Sequence, residues 1–238
     1  MTAFSRRVVK IATTRCVRRN KMLRLSPWWL LRSTRMAKLT KLNAARHQLG
    51  TSLDLFIRDK DPIAVQCLAC GGAELIEAIA ASKGIRALST HMLETVPGLD
   101  LGKLRRLQRQ YWNSFKHMTA RDGEPRDDAE TLQAFDDTKN DAALFVGWWD
   151  YLSVTGRLPV AAQVFQVWWY ALNEGKLVPE ADLKTIRMAF PDITSCDRAE
   201  RKRRLRRSVE KYRDNSELLR DPRTESEPLC FPASVFAS

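Results

Sequence analysis

Residues 140–172 read NDAALFVGWWDYLSVTGRLPVAAQVFQVWWYAL, and the fold class follows from this stretch. Helical periodicity over residues 140–154 and 159–173 places the set Phe-x-x-Trp-Trp-x-x-Leu at the same relative position in both segments. A short loop joins them, and Pro159 suits the start of the second helix. Because short connections make antiparallel neighbours, the stretch predicts an αα-hairpin with an aromatic seam.

The chain before this hairpin has the same helical character. Asp61 as N-cap and Pro62 at a first helical position mark the start of a helix that is apolar nearly all round. Such a helix is expected at the centre of a bundle. Its Gly71-Gly72 pair costs about 1 kcal/mol per residue relative to Ala, so a closely packed neighbour is expected there. The helices predicted in this region cover residues 38–58, 62–82, 87–94, 101–119 and 129–135.

Two further helices are predicted after the hairpin, over residues 180–190 and 196–219. The second opens with Asp197 and Glu200 in capping-box spacing. Alternating β-branched and aromatic residues between turn signals, the usual mark of strands, are scarce, and helix-favouring residues dominate. The predicted fold class is an all-α helical bundle of about seven helices over residues 37–220.

The basic residues are unevenly distributed along the chain. The formal charge is +12, but residues 1–35 hold ten cations and no acid, which leaves +2 for residues 36–238. Three explanations stay open for this basic head, residues 1–36. It is a disordered segment or an over-extended gene start, a targeting segment, or an arm that binds nucleic acid. Residues 221–238 are predicted to be a disordered tail.

Five irregularly spaced cysteines argue against a disulfide framework and predict a reducing, cytoplasmic compartment. No membrane span is expected, because Gln66, Glu74 and Glu77 interrupt the longest apolar stretch. Cys67 and Cys70 form a C-x-x-C pair, but without a preceding strand or a second pair they are predicted to be buried apolar side chains. The sequence predicts no cofactor and no metal, since no Gly-rich phosphate loop or metal-ligand motif is found.

Arg109, Asn113 and His117 are spaced i, i+4 and i+8 on the predicted 101–119 helix. On an ideal helix they form one stripe away from the apolar face. A histidine can move a proton near neutral pH, and a neighbouring cation and amide can orient a phosphate. The alternative is a solvated polar face that carries a single histidine. Glu74, on the apolar helix, is expected either to face a histidine or an arginine or to point outward.

The segment Trp112-Asn113-Ser114-Phe115-Lys116-His117, late on a helix of an all-α domain, resembles the HEPN superfamily. The resemblance implies a small helical bundle, often dimeric, whose catalytic members are ribonucleases with the signature Arg-polar-x-x-x-His. Asn113 matches the polar position and His117 the histidine, while Trp112 stands where the signature has arginine. Arg109 or Lys116 would then supply the cation. The segment also resembles a group of bacterial helical proteins to which no activity is assigned.

Two function classes stay open. One is a non-catalytic helical binding or regulatory protein that pairs with itself or with another protein. The other is a metal-independent ribonuclease in which His117 is the general base, Asn113 orients the substrate, and Arg109 or Lys116 contacts phosphate. RNA could bind along the Arg109 face or along Arg198–Arg213, although such a helix is more often solvated and internally charge-paired. The missing signature arginine favours the first class.

Overall fold

The computed structural model describes residues 39–120, 122–177 and 181–231. These residues form ten α-helices and one two-stranded sheet of two residues a strand, which confirms the predicted all-α class. The basic head, predicted at residues 1–36, lies outside the described residues. In chain order the elements are α1 (Lys41–Ile57), α2 (Pro62–Ser82), α3 (Leu88–Thr95), α4 (Leu101–Lys116), α5 (Ala129–Gln133), α6 (Lys139–Thr155), β1 (Leu158–Pro159), α7 (Val160–Leu172), α8 (Leu183–Ala189), α9 (Arg198–Tyr212), α10 (Ser216–Arg220) and β2 (Thr224–Glu225).

The prediction of one continuous helix over residues 196–219 is wrong, because the structure divides this stretch into two helices. Asp197 caps α9 by accepting a hydrogen bond from the Glu200 amide at 2.7 Å, as the sequence indicated. The helix then ends at Tyr212, and the Asn215 side chain accepts hydrogen bonds from the next amides, so that α10 begins as a separate helix. Asparagine competes with helix continuation in this way because its side chain bonds to nearby amides.

The predicted hairpin is present as α6 and α7. The rings of Phe145 on α6 and Trp169 on α7 stack with centroids 3.7 Å apart and planes 12° apart. On α7, Phe165 and Trp168 are fully buried and meet the ring of Phe56 on α1 edge to face. The aromatic seam therefore joins the hairpin to the first helix, at arrangements that aromatic pairs favour.

The central helix α2 packs between α1 and α6 through a close approach at its glycines. Leu49 of α1 is fully buried. A Cβ on Gly72 of α2 would lie 2.8 Å from Leu49 Cγ, and a Cβ on Gly147 of α6 would lie 2.5 Å from Leu49 Cδ2. Since real Cβ atoms do not approach so closely, the Leu49 side chain occupies the space that two glycines leave open. Leu49 is therefore the closely packed neighbour that the Gly71-Gly72 pair predicted.

By length and composition alone, α2 qualifies as a helix able to cross a membrane, which corrects the expectation that its polar residues exclude this. It is the one such helix within the described part of the chain. In this fold α1 and α6 cover it, with Val65, Ala69 and Ile76 fully buried. A core helix of a bundle passes the same composition test.

The predicted disordered tail at residues 221–238 is wrong for the part that the structure describes, which ends at residue 231. Thr224 and Glu225 pair in parallel with Leu158 and Pro159. Arg46 of α1, only 4% exposed, donates to Glu225 Oε2 at 2.7 Å and also to the backbone carbonyl groups of Pro228 and Leu229. Amino-acid composition could not show that residues 221–231 are ordered, because their order depends on a buried arginine about 180 residues earlier in the chain.

Replacing Arg46 by alanine is expected to lower the free energy of unfolding by about 3 kcal/mol, because Glu225 and two carbonyl groups would lose their buried partner. Arg58→Ala is the matched control at the C-terminal end of the same helix, since that arginine is 65% exposed in its pair with Asp54. Its loss should cost less than about 1 kcal/mol. Urea unfolding of both variants measures the difference, and equal costs would contradict the anchoring of the C-terminal segment by Arg46.

Candidate functional site

The structure does not bring the predicted Arg109, Asn113 and His117 stripe together. Helix α4 ends at Lys116, and His117 has extended backbone angles and an exposed side chain. The helix predicted to residue 119 is too long because the backbone reverses: the Arg126 amide bonds to the Met118 carbonyl group. Among the described residues, neither the Asn113 nor the His117 side chain has a hydrogen bond or ion pair. The stripe therefore ends at Asn113.

The two cations proposed to contact phosphate are both engaged within the chain. Arg109 donates to Glu74 Oε1 at 2.8 Å and to Glu77 Oε2 at 3.2 Å, so it faces α2. Of the two alternatives expected for Glu74, the one in which its carboxylate faces an arginine is therefore present in the structure. The Lys116 ammonium lies 4.1 Å from the centre of the Trp112 ring, a cation–π contact. Arg109 is thus paired with two carboxylates of α2.

The basic helix α9 turns several cations inward. Lys202 is only 2% exposed and binds Asp59 at 2.6 Å and Asp137 at 3.1 Å. Arg198 binds Asp137 and Asp141 at 2.8 and 2.7 Å. Charge pairing inside the fold therefore accounts for these two cations of the Arg198–Arg213 segment. Further side chains of this helix donate to carboxylate or carbonyl oxygens of the chain, namely those of Arg201, Arg203, Arg204 and Arg206.

A cavity of about 270 Å³ lies between α2, α4 and α6, with α3 along its edge. It exists because small side chains face each other there, Ala73 on α2 and Ala143 on α6. The Arg109 and Glu74 side chains, 24% and 44% exposed, line it and leave it open to solvent on their side. The polar residues of its lining include Gln66, Glu77, Ser89, Gln108, Arg109 and Asp150.

Asp150 is the most perturbed acid of this cavity. It is 1% exposed, and its Oδ1 accepts a hydrogen bond from the Leu88 amide at the start of α3 at 2.7 Å. Burial raises the pKa of its carboxyl to about 7; the Leu88 amide opposes that rise and the nearby Glu77 carboxylate adds to it. Glu77 itself accepts a hydrogen bond from the Ser89 hydroxyl at 2.8 Å. These contacts hold α2, α3 and α6 together at one end of the cavity.

The other end of the cavity contains two amides with unused hydrogen-bonding atoms. Gln66 is 2% exposed; its Nε2 donates to Cys70 Sγ at 3.3 Å, while its Oε1 has no partner among the described residues. Gln108 Nε2 likewise has none within the described chain. Buried polar atoms are normally paired, and an unpaired one costs about 1–3 kcal/mol. Two residues of the lining thus hold a buried acceptor and a buried donor that the described part of the chain does not satisfy.

The cysteine pair fixes which way the Gln66 amide points. Burial, with a smaller contribution from Cys67, raises the pKa of the Cys70 thiol to about 12, so the thiol stays protonated. It donates to the Gln108 carbonyl oxygen at 3.7 Å, which leaves the sulfur to accept from the Gln66 amide nitrogen. Oε1 is therefore the free atom of Gln66. A protonated, buried thiol agrees with the prediction that the C-x-x-C pair is apolar rather than redox-active.

Sequence reasoning missed Asp150 and Gln66, the two most buried polar residues of the cavity. Both carried a readable signal, since each interrupts an apolar stretch of its helix, Gln66 between Val65 and Cys67 and Asp150 between Trp149 and Tyr151. What the sequence lacked was the pairing of α2 with α6, which places them on one cavity. In the described part of the chain, no group of three or more His, Cys, Asp or Glu side chains is placed to hold a metal ion.

Comparison of the chain with protein-family models, with curated proteins and with solved structures found no match. The resemblance to the HEPN superfamily, with the ribonuclease activity and dimer that it implies, stays a prediction. A function for this chain is therefore inferred from the chemistry of the cavity.

Replacing Asp150 by asparagine is expected to change how stability depends on pH. An acid whose pKa rises on folding stabilises the protein below its unfolded pKa of 3.8, and that stability is lost as the pH rises through about 7. Asparagine keeps an acceptor for the Leu88 amide and carries no charge. At about pH 8 the variant should be more stable than the natural protein by on the order of 3 kcal/mol, with little difference near pH 4.

Urea unfolding between about pH 4 and pH 8 measures this effect. Asp122→Asn, at an exposed turn, is the control and should leave the pH profile of the natural protein unchanged. Parallel profiles for Asp150→Asn and the natural protein would contradict the raised pKa.

Proposed function

We propose that this chain is a non-catalytic binding protein that holds a small molecule in the cavity between α2, α4 and α6. The observation that carries the proposal is Gln66, a residue of the cavity lining that is only 2% exposed and whose Oε1 acceptor has no partner among the described residues. A ligand that donates a hydrogen bond to this atom would remove the cost of leaving it unpaired.

The arrangement of the charged groups supports binding. Arg109 is held by Glu74 and Glu77, and Asp150 by the Leu88 amide, so these side chains have their orientation before any ligand arrives. Preorganised groups lose little conformational entropy on binding, which improves affinity. Cys70, the intrinsically most nucleophilic side chain of the lining, stays protonated, and a thiol is a poor nucleophile.

The size of the cavity limits the ligand. Sites for drug-sized molecules usually measure about 300–1,000 Å³. A volume of about 270 Å³ lies just below that range, so the ligand is a small metabolite-sized molecule and not a polymer. The mixture of alanine side chains with a few buried polar groups is the usual composition of such sites.

A thermal-shift screen of the full chain against small amines, acids, amides and sugars tests this proposal. At least one class should raise the melting temperature, by on the order of 5 °C at a concentration about 100-fold above Kd. The Ala143→Phe substitution places a ring in the cavity and should abolish the shift. Ala78→Phe, at an exposed position of α2, is the matched control and should preserve it.

Two results would contradict the binding proposal. One is that no compound of any class stabilises the natural protein. The other is that the stabilising compound acts equally on Ala143→Phe, which would place its site elsewhere on the molecule.

A further inference from the structure

Helix α4 lies outside the main apolar core. That core joins α1, α2, α6, α7 and α9, and it contains no described residue between Met92 and Ala143. Of the 16 residues of α4, Leu104 and Tyr111 are buried, whereas α7 buries eleven of its 13 residues. A helix with few buried apolar side chains separates from its neighbours at a lower free-energy cost than a core helix does. Among the long helices, α4 is therefore the one best suited to move.

Helix α4 packs instead against the segment that follows it. The rings of Tyr111 and Phe115 on α4 lie against the ring of Phe135, with centroids 5.2 and 4.9 Å apart. The described residues of 101–135, here called the α4 unit, therefore hold together through an aromatic cluster of their own.

The α4 unit is joined to the rest of the molecule in different ways at its two ends. Gly98, just before α4, has a φ of +75° and open space around its Cβ position. Since glycine adopts either sign of φ readily, the backbone can change direction there. Asp137, just after the unit, is bound by Arg198 and Lys202 of α9. The unit can therefore swing at its first end while its last end stays fixed.

Polar contacts hold the α4 unit against α2. Arg109 donates to Glu74 Oε1 at 2.8 Å and to Glu77 Oε2 at 3.2 Å. The Cys70 thiol of α2 donates to the Gln108 carbonyl oxygen of α4 at 3.7 Å. Hydrogen bonds between charged groups are the stronger kind, so the Arg109 pairs contribute most to holding the two helices together.

This closed position of α4 leaves two buried polar atoms without a partner. Gln66 Oε1 on α2 and Gln108 Nε2 on α4 have none among the described residues, and both are shut off from solvent. The two residues meet at Cys70, whose sulfur accepts from Gln66 Nε2. Movement of α4 away from α2 would admit water to both atoms. The closed position therefore carries a cost that opening removes.

Resting on the binding function proposed above, we infer that the α4 unit is a lid on the Gln66 end of the cavity and that Arg109 is its latch. While the lid is closed, a ligand cannot reach Gln66 Oε1. Breaking the pairs of Arg109 with Glu74 and Glu77 releases the unit, and re-forming them closes it over the ligand. Ligand exchange is therefore limited by how often the lid opens.

Labelling of the Cys70 thiol tests the inference, because this side chain is 6% exposed and contacts α4. The full chain carrying Cys67→Ser is treated with N-ethylmaleimide at about pH 8, and mass spectrometry of the digested protein gives the rate for Cys70. Adding Arg109→Gln should raise this rate about tenfold or more, because the lid loses its charged contacts. Arg187→Gln, the matched control, breaks an exposed arginine pair with Glu174 and should leave the rate unchanged.

The urea dependence of labelling separates lid opening from global unfolding, which also exposes Cys70. Lid opening exposes little additional surface, so the rate at low urea should change little with urea concentration. A rate that rises steeply from the lowest urea concentration onward shows labelling through global unfolding and overturns the lid. Equal rates with and without Arg109→Gln overturn the assignment of the latch.

A second variant covers the case in which Arg109→Gln does not fold. Glu74→Gln then takes its place, with a rise of about threefold, because Glu74 is the more exposed of the two carboxylate partners. An unchanged rate in Glu74→Gln would likewise overturn the latch.

Labelling needs no ligand, so its outcome is independent of the binding function. A lid that stays closed, together with a ligand from the thermal-shift screen, would overturn the lid and support the binding function. A lid that opens, without any ligand in the screen, would support the lid and contradict the binding function.

Discussion

The Leu49 side chain, seated between Gly72 of α2 and Gly147 of α6, sets the spacing of the three central helices. A side chain on either glycine would overlap with it, so α1, α2 and α6 approach one another only because both glycines are present. The same approach turns the opposite face of α2 toward α4. The cavity, the Arg109 pair with Glu74 and Glu77, and the burial of Asp150 all lie on that face. The candidate site therefore depends on a contact that none of its own residues makes.

Local patterns predicted the helices well, and long-range contacts explain where they failed. The aromatic repeats of α6 and α7, and the capped start of α2 at Pro62, depend on residues near one another in the chain. The order of the C-terminal segment depends instead on Arg46. Likewise the end of α4 before His117 follows from backbone pairing of Met118 with Arg126, which helical periodicity does not encode. Helical periodicity and capping signals in the sequence do not show which distant residues will contact one another.

The candidate site could be predicted only in part, for a related reason. The sequence marked Arg109 as a candidate phosphate contact because of its position on α4. In the structure this arginine is paired with two carboxylates of the same chain instead. Gln66 and Asp150 became significant through the cost of their burial, which a sequence alone does not show. Buried polar groups that lack a partner or carry a raised pKa cluster at functional sites. Of the six unpartnered buried side-chain atoms in the described residues, two belong to Gln66 and Gln108, which line the same cavity as Asp150 with its raised pKa, and this combination carries the functional assignment.

Unfolding of Gly72→Ala beside Gly71→Ala tests the central packing claim most directly. Both substitutions raise helix propensity equally, by about 1 kcal/mol. A Cβ at residue 71 meets only the movable end of Gln48, whereas one at residue 72 meets Leu49 and the Ala45 backbone. Gly72→Ala should lose about 2 kcal/mol of unfolding free energy, and Gly71→Ala should lose none. Equal stability of the two variants would contradict the account.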